Sequence, residues 1–120
     1  MKKIALYSFL LAFCLPLGAA AEWLPGFEDV PMMDNTYVIE EESFVYSQAE
    51  GKIVQTTIIS ERVSRRKLQS FYSDALRELG WKRTKNTAAF QTFARDGDEL
   101  KIEIVESEPL TVRFTMVPKE

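Results

Sequence analysis

Histidine is absent from this sequence of 120 residues, and cysteine occurs once, as Cys14. Without imidazole the chain lacks the side chain that enzymes use most often for proton transfer near neutral pH. A single cysteine cannot form a disulfide within the chain. Neither a glycine-rich phosphate loop nor a G-x-S-x-G nucleophile motif is present. We therefore expect a protein that is not an enzyme and that holds no metal and no cofactor.

The N-terminus predicts a secretory signal peptide over residues 1–21. Lys2 and Lys3 precede an apolar run over residues 4–15, and alanines fill positions 19–21 before Glu22. This order matches the charged, apolar and small-residue regions that a signal peptidase recognises. The apolar run is shorter than the roughly 20 residues that span a membrane as a helix. We expect cleavage before Glu22, a periplasmic location and no transmembrane segment in the mature chain.

Cys14 allows an alternative location. A cut before Cys14 would leave it with a lipid, and the mature chain would then be anchored to a membrane. Phe13 is bulky where such a cut needs a small residue, so we expect Cys14 to leave with the signal. The mature chain then has neither thiol nor imidazole, which removes the two commonest zinc ligands. Loss of Lys2 and Lys3 also takes the net charge from −3 to −5.

The negative charge is concentrated early in the mature chain. Residues 22–51 hold eight acidic residues and no basic residue, whereas residues 52–120 hold 13 basic and 10 acidic residues. Nucleic-acid binding requires positive charge gathered on one face, so we expect no nucleic-acid partner. The composition shift predicts an acidic arm over residues 22–36 and one α+β domain over residues 37–120.

The arm has no helical or strand periodicity, and Pro25 and Pro31 favour an extended or turned backbone. We considered three interpretations: an arm that covers part of the core, a segment that binds a partner, and a disordered segment. Large apolar side chains are the usual anchors of protein interfaces. The candidates for partner contact in this arm are Trp23, Phe27, Met32 and Met33.

The domain is predicted to be a two-layer α+β fold, with an antiparallel sheet of about five strands in the order β-β-α-β-β-β and one helix on one face. Residues 37–47 and 52–60 are rich in β-branched and aromatic residues around a turn at Gly51. Residues 88–95, 100–105 and 110–117 predict three more strands, the last two from strict alternation. Residues 82–86 are predicted to be a loop.

The helix has the clearest sequence signature. Leu68, Phe71, Tyr72, Ala75, Leu76 and Leu79 follow the spacing of one apolar stripe. Ser64 predicts the N-cap, and Gly80 followed by Trp81 predicts a Schellman ending. Gln69 is expected on the opposite, polar face.

Three cations, Arg65, Arg66 and Lys67, open this helix. They face the positive end of the helix dipole, an arrangement that costs a few tenths of a kcal/mol or more. One interpretation is a solvated turn compensated by acids such as Glu61 or residues 40–42. The other is a contact with an anionic surface or an acidic partner, extended by other basic residues of the body. These are Arg62, Arg77, Lys82, Arg83 and Lys85.

The motif F-Y-x-x-x-L-x-x-L-G-W-K, which begins at Phe71, resembles the helix of small exported proteins of unknown function from Gram-negative bacteria. The start of the mature chain, Trp23-Leu24-Pro25-x-Phe27, is similar to the mature start of such proteins. A fainter resemblance is to helix-on-sheet modules of envelope lipoproteins. The resemblance implies a periplasmic location and assigns no functional residue.

These features together predict a small periplasmic binding or adaptor protein that contacts another envelope protein. The expected contacts are the four arm residues, and secondarily Arg65, Arg66 and Lys67. The alternative is a carrier or sensor of a small apolar or anionic ligand held between the helix and the sheet.

Overall fold

A computed structural model describes residues 22–49 and 51–118. The predicted signal peptide, residues 1–21, and Cys14 within it lie outside the described residues. The described chain forms one helix and six strands, an α+β fold dominated by its sheet. The helix α1 is Arg65–Glu78. The strands are β1 Tyr37–Gln48, β2 Gly51–Ser60, β3 Lys82–Asn86, β4 Phe90–Arg95, β5 Asp98–Ser107 and β6 Leu110–Pro118.

All six strands belong to one antiparallel sheet in the order β1-β2-β6-β5-β4-β3. The predicted loop over residues 82–86 is in fact the edge strand β3, which pairs with β4 from Lys82 opposite Ala94 to Asn86 opposite Gln91. Every residue of β3 is exposed, so the strand has no apolar alternation that a sequence pattern could reveal. It forms through its main-chain pairing with β4, the next strand along the chain. The expected five strands are therefore six.

One face of the sheet contributes buried side chains to the hydrophobic core. The alternation predicted for residues 100–105 and 110–117 holds in the middle of the strands, where Leu100, Ile102, Val112 and Phe114 are all fully buried, but Thr111 is buried as well. Paired residues of antiparallel strands share a face, and Ile102 lies opposite Phe114. Strand β2 has a neighbour on both sides, as its apolar residues on two faces predicted.

The helix adds Leu68, Tyr72 and Leu76 to the same buried cluster. The Tyr72 ring meets the Phe114 ring edge to face, with 5.0 Å between their centroids. Such aromatic pairs contribute about 0.5 to 1.5 kcal/mol beyond the area that they bury. This contact joins the middle of α1 to strand β6.

Both predicted helix ends are confirmed. The Ser64 side chain accepts a hydrogen bond from the Lys67 main-chain N–H at 3.2 Å. At the other end Gly80 adopts a φ of 94°, and the Trp81 N–H donates to Leu76 O at 2.9 Å. That bond and the one from the Gly80 N–H to Arg77 O at 3.1 Å are the two that define a Schellman motif. The helix therefore ends in a fixed geometry, with Trp81 turned back into the core.

The sequence predicted that Gln69 lies on the polar face of the helix, and this prediction is wrong. It is buried, its Nε2 donates to Thr87 O at 3.1 Å, and its Oε1 accepts from Arg65 Nη1 at 3.0 Å. The loop between β3 and β4 covers this position and supplies an acceptor for the amide. A polar side chain is thus buried with its hydrogen bonds satisfied.

Strand β1 forms the other edge of the sheet and contains a bulge. Its register against β2 shifts between Ile39 and Phe44, a span that contains the acidic residues 40–42. The Ser43 hydroxyl donates to Ile39 O at 2.9 Å and accepts from Thr57 N at 3.2 Å. Bulges and charges on an edge strand hinder pairing with other chains.

Among the residues that the structure describes, no helix is long and apolar enough to cross a membrane.

Candidate functional site

The arm is anchored to the core by its inward-facing side chains. Leu24 and Val30 are fully buried, and Phe27 is 5% exposed. The Phe27 ring packs edge to face on Phe114, with 6.4 Å between centroids. The structure therefore places Phe27, one of the four candidate arm residues, in the core rather than on the surface.

The arm backbone folds back on itself around Gly26. The Leu24 N–H donates to Val30 O at 2.8 Å, and Trp23 pairs with Pro31 in an antiparallel bridge. Gly26 adopts a φ of 88°, and a Cβ at this position would lie 2.8 Å from Val54 Cγ1. The turn thus requires glycine for two reasons, its left-handed backbone and its close approach to the sheet.

Polar contacts fix the arm to three different elements. The Thr56 hydroxyl of β2 donates to Pro25 O at 2.7 Å, and the Tyr72 hydroxyl of α1 donates to Pro31 O at 2.7 Å. At the far end of the helix, Arg95 Nη1 of β4 lies 2.6 Å from Asp29 Oδ2. The same Arg95 nitrogen donates to Leu79 O at 2.8 Å. The arm is therefore held along its length.

A groove of about 490 Å³ lies between this anchored arm and the start of α1. Trp23 is 49% exposed here, and Met32 and Met33 are half-buried. Phe71 completes the apolar part from the helix side. Since the inner side chains of the arm are fixed in the core, the outer ones are held in place as a preformed apolar surface.

The helix wall of the groove is cationic. Arg62 and Lys67 line the groove itself, and Arg66 lines an adjoining depression of about 470 Å³ that also includes Met33 and Lys67. Within the described residues, no carboxylate lies within salt-bridge distance of any of these three cations. The sequence allowed Glu61 or residues 40–42 to compensate the cations at the start of the helix. Among the described residues, they do not do so through direct ion pairs.

The arm wall is acidic, since Glu22 and Asp34 also line the groove. The groove thus has opposite charge on its two walls and an apolar floor between them. The first helical turn contains no acidic residue. No carboxylate in that turn therefore offsets Arg65, Arg66 and Lys67, which lie at the positive end of the helix dipole. An anionic group bound at the helix wall would relieve this repulsion.

The structure brings together four of the seven candidate residues, Trp23, Met32, Met33 and Lys67, with Arg66 beside them. Arg65 does not line the groove or its adjoining depression, and its guanidinium donates to Gln69 Oε1. Phe71 is a site residue that sequence reasoning assigned to the apolar stripe. Its position four residues after Lys67 places both on one helix face, which is the signal that could have identified it.

Tyr72 is the described group with a strongly shifted pKa. Burial raises the pKa of its phenol well above the usual value of 10.0, and the main chain of Met33 opposes this shift in part. The phenol therefore stays neutral and acts as a structural hydrogen-bond donor.

In the described chain, no group of three acidic or cysteine side chains is arranged to hold a metal ion. Comparison with protein-family models, with curated proteins and with solved structures found no match to this chain.

Proposed function

We propose that this chain is an exported binding or adaptor protein of the bacterial envelope, and that the groove between arm and helix receives an acidic segment of another envelope protein. The observation that carries the proposal is a preformed apolar groove with one wall of unpaired cations, Arg62 and Lys67. Apolar anchors beside matched charges are typical of specific protein interfaces.

The location in the proposal comes from the sequence. Residues 1–21 have the features of a secretory signal, and the helix motif resembles that of small exported proteins of Gram-negative bacteria. We propose cleavage before Glu22 and release into the periplasm, with a lipid anchor at Cys14 as the alternative. An exported partner is then the relevant kind of partner.

The proposal also needs a rigid frame. We propose that α1 forms a second layer over the sheet, a view supported by the Tyr72 and Phe114 rings 5.0 Å apart. Because the helix and the arm share this support, the two walls of the groove stay at a fixed separation. A preformed site loses less conformational entropy when a partner binds.

The occupant is argued from charge. Each cation in the first turn of a helix costs about 0.3 to 1 kcal/mol. A carboxylate of the partner at the helix wall would form charge-assisted hydrogen bonds and remove part of this cost. An apolar side chain of the same segment would cover Trp23 and Met33. We therefore propose a segment that carries Asp or Glu next to a large apolar residue.

Site-specific photo-crosslinking in the native host tests this proposal. A photoreactive residue at position 23 should yield one partner adduct, whereas the same residue at position 46 should not. Tyr46 is a matched control, because it is aromatic and 59% exposed but lies outside the groove. The crosslinked partner peptide, identified by mass spectrometry, should contain an acidic residue.

Charge reversal makes the test specific. Arg62→Glu with Lys67→Glu should abolish the adduct, and a Lys substitution at the partner's acidic residue should restore it. Equal adducts at positions 23 and 46, or an adduct that the double variant leaves unchanged, would show that the groove is not the docking site.

A further inference from the structure

A second site lies on the other side of α1, in a crevice against β3 and β4. It consists of two adjoining depressions of about 360 and 430 Å³ that share Ser73, Arg77 and Arg83. Each volume lies within the range of roughly 300 to 1,000 Å³ that small-molecule sites occupy. The proposed partner groove is lined by different residues, and only its adjoining depression shares lining residues with the crevice, namely Arg66 and Ser70.

The crevice is strongly cationic. Arg66 and Arg77 reach it from the helix, and Lys82 and Arg83 reach it from the edge strand. The one acidic lining residue, Asp74, lies 3.5 Å from Arg77 in a pair whose side chains are both mostly exposed. In the described part of the chain, no carboxylate lies within salt-bridge distance of the other three cations. The crevice therefore has excess positive charge that an anion would neutralise.

Ser73 holds part of this arrangement in place. Arg83 Nη1 donates to Ser73 Oγ at 2.9 Å, which draws the side chain of the edge strand toward the helix. Gln91 Nε2 donates to the same oxygen at 2.8 Å. One hydroxyl thus links the guanidinium of β3 to a buried amide of β4, and the cation is positioned at the mouth of the crevice.

Two residues that line these depressions each have a buried polar atom without a hydrogen-bond partner. Gln91 is 1% exposed, and its Oε1 accepts no hydrogen bond although its Nε2 donates to Ser73 Oγ and to Asn86 Oδ1. Trp81 is 3% exposed, and its Nε1 donates none. A buried group without a partner costs about 1 to 3 kcal/mol. Each depression therefore has a polar atom buried behind its wall whose hydrogen bond is not made.

We propose that this crevice binds a small anionic carbohydrate, a sugar that carries a carboxylate or a phosphate. The anionic group pairs with Arg77 and Arg83, in the planar two-point geometry that guanidinium groups favour. Sugar hydroxyls both donate and accept, so they suit the polar side chains of Ser70 and Asn86, which line the same crevice. A simple inorganic ion at neutral pH would satisfy the arginines but fewer of these polar atoms.

Isothermal titration calorimetry on the chain purified from its host tests this inference. The probes are glucuronate, galacturonate and glucose 6-phosphate, with glucose and inorganic phosphate as references. At least one anionic sugar should bind tenfold or more tighter than either reference. The comparison of the sugar acids with the sugar phosphate distinguishes the two anionic groups. Failure of every anionic sugar to exceed both references would overturn the proposal.

Two variants locate the binding. Arg83→Gln should weaken the sugar at least tenfold without lowering the melting temperature, because Arg83 lies on an exposed edge strand. Lys52→Gln, an equal loss of charge at an exposed position outside the crevice, should leave the affinity unchanged. Equal weakening by both variants would indicate a general electrostatic attraction and would overturn the site.

A fluorescence titration gives an independent measure. The chain has two tryptophans, so Trp23→Phe leaves Trp81 as the single emitter. The bound sugar should change Trp81 emission along the same saturation curve that calorimetry gives. Calorimetric binding with no change at Trp81 would place the sugar outside this crevice. Arg83 and Lys52 do not line the groove, so the calorimetric outcome of those two variants is independent of partner capture there.

Discussion

The hydroxyl of Tyr72 donates a hydrogen bond to the main-chain oxygen of Pro31 at 2.7 Å. This bond joins the middle of the helix to the arm across 41 residues of chain. It lies directly behind the groove, since Pro31 lines the groove and Phe71 is the neighbour of Tyr72. The position of the arm wall therefore depends on a side chain of the helix.

Tyr72→Phe tests how much this bond contributes to stability. The ring contact with Phe114 is kept and only the hydroxyl is removed. We expect a loss of about 1 kcal/mol in the free energy of unfolding, the usual net value of such a bond. That loss corresponds to a decrease of about 4 to 8 °C in melting temperature for a domain of this size. An unchanged melting temperature would show that the bond does not hold the arm.

Because the hydroxyl of Tyr72 is buried, we expect the folded chain to lose stability at alkaline pH. Below pH 10 the phenol is neutral in both the folded and the unfolded chain, so it adds no pH dependence. Above the unfolded pKa of 10.0, the unfolded phenol ionises, whereas burial raises the pKa of folded Tyr72 and keeps it neutral. Unfolding is then favoured as pH rises, by up to about 1.4 kcal/mol for each pH unit.

Urea unfolding between pH 8 and pH 11 measures this effect. The native chain should lose more stability above pH 10 than Tyr72→Phe does, because the variant lacks the titrating group. Parallel curves for the two proteins would contradict a buried, neutral Tyr72.

Substitution of Gly26 tests the arm turn, and Gly97, in the turn between β4 and β5, is its matched control. Both have positive φ, 88° and 85°, but a Cβ at Gly26 would lie 2.8 Å from Val54 Cγ1, whereas one at Gly97 meets nothing within 4 Å. Gly97→Ala should cost about 1 to 2 kcal/mol from backbone strain alone. Gly26→Ala adds an overpacked contact and should cost about 2 to 4 kcal/mol. Equal melting temperatures for the two variants would show that the arm does not pack on β2 as described.

The sequence predicted the parts of the fold that depend on local patterns. Ser64, Gly80 and Trp81 mark the helix ends by chemistry that acts within one turn, and all three behave as expected. The alternation of Leu100 and Ile102 likewise revealed a half-buried strand. These signals are readable because burial and capping repeat at fixed spacings.

Features that depend on pairing or packing with another segment were not readable. Strand β3 contains no apolar pattern and exists because β4 pairs with it. Gln69 looked solvent-exposed because its acceptors come from the loop at Thr87 and Ala88. The groove needs the arm to return over the helix, and residues 22–36 contain no periodicity that fixes this path. Candidate residues could thus be named from the sequence, but their convergence could not.

The central claim is that cations at the start of the helix are kept for a partner rather than for stability. Lys67 occupies the third helical position after the N-cap Ser64, so Lys67→Glu creates the S-x-x-E pattern of a capping box. The change also removes a cation from the positive end of the dipole, and it should stabilise the chain by about 0.3 to 1 kcal/mol. The same change should repel an acidic partner.

Measuring partner crosslinking at position 23 in Lys67→Glu, alongside its melting temperature, tests this claim most directly. Lys52→Glu is the control, with the same change of charge at an exposed position outside the groove. Our account predicts that Lys67→Glu raises the melting temperature and abolishes the adduct, while Lys52→Glu keeps the adduct. A stabilised Lys67→Glu protein that still forms the adduct in full would contradict it.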